Sequence, residues 1–213
     1  QLYGKGVATV FENSARSAGR TVLGHQTIDS QAADYKTLAA TVAGAGPDLI
    51  YFGGTTQSNA GQLMKDIRAS GYTGRIMAGD GIFEQAFLDA AGAEAAEGIY
   101  VTFPGIPPDH LTGKAADWRA AYVAQYGEEL DVFAVYGYTA AQVIMAALER
   151  VCASGGSPLD RKAVREAVFA TQDFDSALGV FSIDANGDTS LTTMSGSQAR
   201  NGKFEFVTLL EAP

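Results

Sequence analysis

What most narrows the fold of this chain is the way two hydrophobic periods take turns along it. Val7, Val10, Phe11 and Ala18 fall on one helical face, and Gly19 ends the run. The stretch from Thr21 to Ile28 then reads as a strand. Tyr35, Leu38, Ala39 and Val42 return to helical spacing, which stops at Gly44-Ala45-Gly46-Pro47. Asp48 leads into the apolar run Leu49-Ile50-Tyr51-Phe52, which suits a strand covered on both faces, as in a parallel sheet. Leu63, Met64 and Ile67 predict a helix over 60–70, Arg75-Ile76-Met77-Ala78 another strand, 83–91 a helix, and Gly98 to Phe103 a strand. Strand starts near 21, 48, 75 and 98 recur roughly every 25 residues, which predicts successive βα units and an α/β fold with a parallel sheet under helices. The units do not repeat in sequence, so this is a topology and not a solenoid.

Beyond Phe103 the period changes. Pro104-Gly105-Ile106-Pro107-Pro108-Asp109 predicts an exposed loop. A helix is expected around Trp118 and Tyr122, broken by Gly127-Glu128-Glu129-Leu130-Asp131. The longest helix is expected over 132–153, with Val135, Tyr138, Ala141, Met145, Leu148 and Cys152 along one side. Another follows Asp160, its expected N-cap. Gly179 to Ile183 and Lys203 to Leu210 read as β, with a turn at Asp184-Ala185-Asn186-Gly187-Asp188.

Composition then removes whole classes of function. A chain of 213 residues holds one large domain or two small ones. Fifteen Lys and Arg against 24 Asp and Glu leave a net charge of −9, the wrong sign for a face that neutralises phosphates, so no nucleic-acid partner is expected. Cys152 is the only cysteine, which excludes a disulfide framework and a Cys-rich zinc site. No apolar stretch approaches the ~20 residues that span a bilayer. The first residues enter a helical pattern directly, without a leader pattern.

The chemistry-bearing motifs are few. Asp184 to Asp188 starts like a calcium loop, but its glycine is fourth and its twelfth position is Ser195, so a hairpin turn is expected and no metal site. No Gly-x-Ser-x-Gly elbow is present. His25 lies in an expected strand, His110 in the Pro-rich loop, and Cys152 late in an apolar helix, so these three read as core or surface residues and no catalytic residue is assigned. Gly53-Gly54-Thr55-Thr56-Gln57-Ser58 joins a strand to a helix. It lacks a phosphate-binding fingerprint, and it reads both as a turn capped by Ser58 and as a ligand-facing loop at the carboxyl end of a parallel strand. Asp80, between Gly79 and Gly81 at another strand end, either caps the following helix or pairs with a cationic ligand group, a contact that contributes ~1.5–3 kcal/mol. Phe133, Tyr136 and Tyr138 open the long helix; aromatics there are more often core than site, but these follow a presumed domain crossing, and pockets favour domain interfaces.

Taken in order, several of these stretches resemble the periplasmic substrate-binding proteins of branched-chain amino-acid ABC transporters. The resemblance is carried by Tyr3-Gly4-Lys5-Gly6, Tyr35-Lys36-Thr37-Leu38, Pro47 to Gly54, Gly61-Gln62-Leu63-Met64-Lys65, Ala78-Gly79-Asp80-Gly81, Ala96 to Thr102, Tyr138-Thr139-Ala140-Ala141 and the Lys203-Phe204-Glu205-Phe206 end. It implies a type I periplasmic binding fold: two Rossmann-like α/β lobes with parallel sheets, joined by a hinge and closing on a small solute. On that resemblance, 1–126 is the second lobe without its first strand, 127–178 holds helices returning to the first lobe, and 179–213 is a hinge-proximal β hairpin and C-terminal strand. The absent strand would leave Val22, Leu49 and Ile50 beside unpaired backbone, so a further N-terminal segment or a complementary chain is expected to supply it. Tyr3 matches an aromatic that touches the bound amino acid, Asp80 the acid that pairs with its α-ammonium, and Phe133 an aromatic of the side-chain pocket. Gly54 and Gly81 flank these positions, and Thr55 stands where some leucine-type binders have Tyr, which implies a larger or more polar pocket.

The implied function is a non-catalytic, extracytoplasmic receptor, its leader peptide removed. It lies in the periplasm or outside the cell, with a lipidated N-terminus beyond this chain as one mode of anchoring. It would deliver an amino acid or similar amine-bearing solute to ABC permease subunits, with no cofactor. A ligand-sensing regulatory domain of the same fold is the alternative from another class, and a hydrolase or amidase a third that lacks a nucleophile with its base.

Overall fold

In the computed structural model, residues 2–210 are described. Residue 1 and residues 211–213, the outer ends of the expected second lobe and C-terminal strand, lie outside the described residues. In chain order the elements are α1 (Leu2–Ser17), α2 (Lys36–Gly44), β1 (Leu49–Phe52), α3 (Ala60–Ala69), β2 (Arg75–Ala78), α4 (Gln85–Ala91), α5 (Ala93–Ala96), β3 (Tyr100–Phe103), α6 (Gly113–Tyr126), α7 (Ala134–Ala153), α8 (Arg161–Phe169), β4 (Phe174–Ser176), β5 (Gly179–Phe181), β6 (Met194–Arg200) and β7 (Lys203–Leu210). Two units form, one from the chain up to Gly105 and from Thr193 onward, the other from Ile106–Thr192.

The first unit is built on a five-stranded sheet in the order β1-β2-β3-β6-β7. β1, β2 and β3 run parallel with helices between them, as the alternating periods predict. β6 and β7 extend this core as an antiparallel hairpin, which makes the sheet mixed. Register places Ile50, Ile76 and Ala78, Val101 and Phe103, and Ser197 and Ser195 on one face. That face is the core: Ile76, Ala78, Val101, Phe103 and Ser195 are all at most 1 % exposed. Phe83, just ahead of α4, meets Phe103 edge to face at 5.3 Å and Phe204 of β7 at 4.9 Å, which clamps the hairpin onto the parallel core. The opposite face is only half covered. Phe11 of α1 stacks on Tyr51 of β1 there, with ring centroids 3.8 Å apart and planes within 3°.

Three expectations are corrected in this unit. The stretch from Thr21 to Ile28 is irregular and forms no strand: among the described residues it makes no backbone ladder, and His25 Nδ1 lies 2.6 Å from Glu12 Oε2 on α1. β1 is not covered on both faces but is the edge strand, with Leu49 37 % exposed. Ser58 does not cap α3, whose N-cap is Asn59 in the left-handed conformation at φ 62°. Asn59 instead donates from Nδ2 to the Ala32 carbonyl at 2.9 Å, anchoring the loop before α2.

In the second unit α7 packs against α8, and Arg150 of α7 donates to the Ala167 carbonyl at 2.8 Å and to Thr171 Oγ1 at 3.0 Å, satisfying the open end of α8. Asp160 caps α8 as expected, accepting from the backbone N–H groups of Lys162 and Ala163. β4 and β5 pair antiparallel, and Ile183 bridges Thr189 across the expected turn, where Asp184 Oδ1 accepts from the N–H groups of Asn186 and Asp188 at 2.8 Å each. The apolar side read along the longest helix is corrected: α7 buries Val135, Thr139, Val143, Ala147 and Val151, whereas Tyr138, Met145 and Cys152 are exposed. Trp118 of α6 stacks on Tyr138 with centroids 4.9 Å apart.

Candidate functional site

Open α/β sheets bind ligands at the carboxyl ends of their parallel strands, because the loops there emerge together on one rim. In the first unit those loops are Gly53-Gly54-Thr55 after β1 and Gly79-Asp80-Gly81 after β2. The start of α1 meets them through bare backbone. A Cβ on Gly53 would stand 2.7 Å from the Gly4 carbonyl oxygen and 3.0 Å from the Ala8 nitrogen, so only glycine lets the helix lie this close. A Cβ on Gly81 would stand 2.6 Å from the Gly54 carbonyl oxygen and 3.1 Å from Thr55 Cγ2, so the two loops touch in the same way.

This packing sets Tyr3 over Asp80. The Tyr3 hydroxyl donates to Asp80 Oδ1 at 2.8 Å across 77 residues of sequence. Asp80 is half-buried, no Lys, Arg or His pairs with it among the described residues, and Oδ2 has no hydrogen-bond donor there. Asp80 does not cap α4, whose N-cap is Glu84; its backbone opens a 3-10 turn over Asp80–Ile82 and its carboxylate faces Tyr3 instead. Burial pushes the Tyr3 phenol up to about 12, with the hydrogen bond to Asp80 and the Asp80 charge adding to it. Burial, then the same charge, also raises Tyr51. Both phenols converge on Gly79: a Cβ there would lie 3.5 Å from the Tyr51 hydroxyl and 3.6 Å from that of Tyr3.

Tyr3, Gly54, Thr55, Asp80 and Gly81, singled out from the sequence, are thus one cluster. Thr55 Oγ1 lies 3.2 Å from Ser58 Oγ, and Thr56 Oγ1 donates to the Gly81 carbonyl at 3.5 Å. Phe133 belongs to the second unit, where it precedes α7, is 42 % exposed, and donates its backbone N–H to Asp131 Oδ1 at 2.9 Å. Sequence reasoning passed over Tyr51 and Phe11. Tyr51 was absorbed into an apolar strand, and only its position next but one before Gly53 hinted at the rim. A hollow lined by Pro47, Asp48, Tyr72 and Arg75 opens at the amino ends of β1 and β2, away from this chemistry, and is a gap between loops rather than a ligand rim.

Comparison with known proteins gives a consistent family. The periplasmic binding protein family model matches residues 1–203. A Leu/Ile/Val-binding protein homolog 3 of Brucella melitensis is 24 % identical over 188 residues, which cover 88 % of this chain and 49 % of that protein. The crystal structure of a leucine binding protein, LivK, from Thermotoga maritima is 28 % identical and superposes with a TM-score of 0.86, covering 99 % of this chain and 58 % of that one. The branched-chain amino acid transporter substrate binding protein LivJ from Streptococcus pneumoniae, solved in complex with isoleucine, is 25 % identical with a TM-score of 0.81, covering 100 % of this chain and 57 % of that one. The chain therefore spans about half the length of the relatives it matches.

Proposed function

This chain belongs to the periplasmic binding protein family, and from that premise we propose that it is part of an extracytoplasmic receptor that binds an amino acid or similar amine-bearing solute and presents it to the permease of an ABC transporter. One observation carries the reading. A half-buried carboxylate at a strand-end rim, without a cationic partner among the described residues and with one oxygen open, is costly unless a cation arrives to neutralise it. The ammonium of the solute is that cation. Tyr3 fixes Asp80 Oδ1 and leaves Oδ2 for the ligand. Thr55 takes less room than the Tyr of some leucine-type binders, so the site admits a side chain larger or more polar than that of leucine. The receptor performs no chemistry on its solute. The open edge of β1 supports a further part of the reading, that a strand from outside these residues, from the same protein or a complementary chain, pairs there.

The test is a thermal-shift screen of the protein at its natural full length against the twenty amino acids. A ligand at 100 times its Kd stabilises the folded state by about 2.7 kcal/mol, a shift easily read. At least one amino acid is expected to raise Tm. A flat response to all twenty would remove the amino-acid receptor reading.

A further inference from the structure

The outward face of α8 breaks several local rules at once. Arg161, Lys162 and Arg165 are exposed within its first five residues, no acidic residue lies in its first turn, and no basic residue in its last. The helix dipole favours the reverse, with acids at the amino end and cations at the carboxyl end. Arg161 and Arg165 stand one turn apart, where like charges repel. Leu159, just ahead of the helix, is 89 % exposed. The nearby acids relieve little of this. Asp160 is held as the cap by the N–H groups of Lys162 and Ala163, and Glu166 reaches Lys162 only at 3.9 Å. Arg161 and Arg165 enter no ion pair among the described residues. The half-buried residues of α8 are Ala163, Val164, Ala167 and Val168, so packing does not call for the cations either. Local rules broken without a gain in stability mark functional positions. Exposed charges more than ~8 Å apart are largely screened at physiological ionic strength, so this face, and not the net charge of −9, decides what docks on it. We propose that the outward face of α8 docks on an anionic phospholipid surface, with Arg161, Lys162 and Arg165 facing the phosphates and Leu159 entering the headgroup layer. A lipid surface fits this face better than an acidic protein does, because a headgroup layer takes a lone aliphatic side chain beside cations without a shaped pocket to receive it. The proposal goes beyond the receptor reading, whose permease lies in such a surface, and its test needs no solute, so the two fail separately.

The test is flotation of the full-length protein, produced without an acyl chain, with mixed phosphatidylglycerol and phosphatidylcholine vesicles and with vesicles of phosphatidylcholine alone. The parent is expected to float with the anionic vesicles only, and to be released at ~1 M salt, where the Debye length falls to about 3 Å. Each cation removed is expected to lower the partition coefficient about fivefold, or ~1 kcal/mol, and the triple variant Arg161→Gln, Lys162→Gln, Arg165→Gln on the order of a hundredfold. Arg161→Lys with Arg165→Lys keeps both charges and is expected to keep the binding. Leu159→Ser is expected to lose about tenfold, since it withdraws the apolar contact alone. The triple variant should hold or raise Tm, because it relieves the opposed dipole and the repulsion between Arg161 and Arg165. A parent that fails to float with anionic vesicles, a parent that floats equally with both kinds, or a triple variant that binds like the parent would overturn the proposal. A triple variant with a lowered Tm would overturn it too, by showing that the cations serve the helix itself. Charge-dependent binding untouched by Leu159→Ser would assign the face to an acidic protein surface and overturn the lipid assignment.

Discussion

Tyr3 and Asp80 meet because two glycine-lined loops let a helix settle on a strand end, and their contact has a spectroscopic signature. The folded state keeps the Tyr3 phenol neutral up to about 12, against about 10 in an unfolded chain. The folded form therefore holds the proton more tightly, and its stabilising contribution is complete below pH about 10 and is lost as pH rises from there through about 12. In Asp80→Asn, the ultraviolet phenolate titration of Tyr3 should move down from about 12 without reaching its ordinary value, because burial is the larger cause and remains. A titration unchanged by Asp80→Asn would show that the two groups do not touch in solution. Much of this cluster was legible in the sequence. A polar residue beside glycines directly after an apolar run marks the rim of a parallel sheet, which points to Thr55 after Gly53-Gly54 and to Asp80 between Gly79 and Gly81. The Phe11–Tyr51 stack was not legible, because it joins α1 to β1 and each residue fits the apolar pattern of its own element.

At the level of elements, what the sequence hid was decided by partners rather than by local preference. Thr21 to Ile28 has the composition of a strand, but a strand exists only with a ladder, and among the described residues nothing pairs with it. β6 is the converse: Met-Ser-Gly-Ser-Gln-Ala-Arg shows no apolar alternation, yet pairing with β3 and β7 on both sides makes it a central strand and buries Ser195 and Ser197. The apolar side of α7 was misread because that helix carries two apolar stripes, and the one packed within its unit is the stripe of smaller residues. Asp66 is a case with no sequence signal at all. Buried on α3, it accepts the Tyr35 N–H at 2.6 Å and a Gln62 amide proton at 3.1 Å, and so fixes the start of α2. Asp66→Ala leaves that N–H unsatisfied and should cost about 1–3 kcal/mol in denaturant unfolding. Gly53→Ala should push α1 off β1, because the added methyl meets backbone at 2.7 Å. Its measurable consequence is a Tyr3 titration that falls as in Asp80→Asn.

For the molecule as a whole, the alternating periods announced the α/β class, and the ordered set of short matches announced the family. Both hold because a parallel sheet imposes a rhythm of strand, turn and helix on any sequence that builds it. The free edge of β1 has a consequence for the 213-residue chain on its own. Among the described residues no strand pairs with the outer edge of β1 beside the exposed Leu49, a template for another strand, so this chain made alone should self-associate in sedimentation, and Leu49→Lys should return it toward the monomer. A monodisperse monomer of the unsubstituted chain would show that the edge is protected. The proposed function converges on a single carboxylate. The most direct measurement is calorimetric titration of the full-length protein with the amino acid chosen by the thermal screen, run in parallel on the parent and on Asp80→Asn. If Asp80 receives the ammonium as proposed, removing its charge should weaken binding at least tenfold, or ~1.4 kcal/mol and more. Equal affinity in the two proteins would contradict a receptor that holds its solute by the amine.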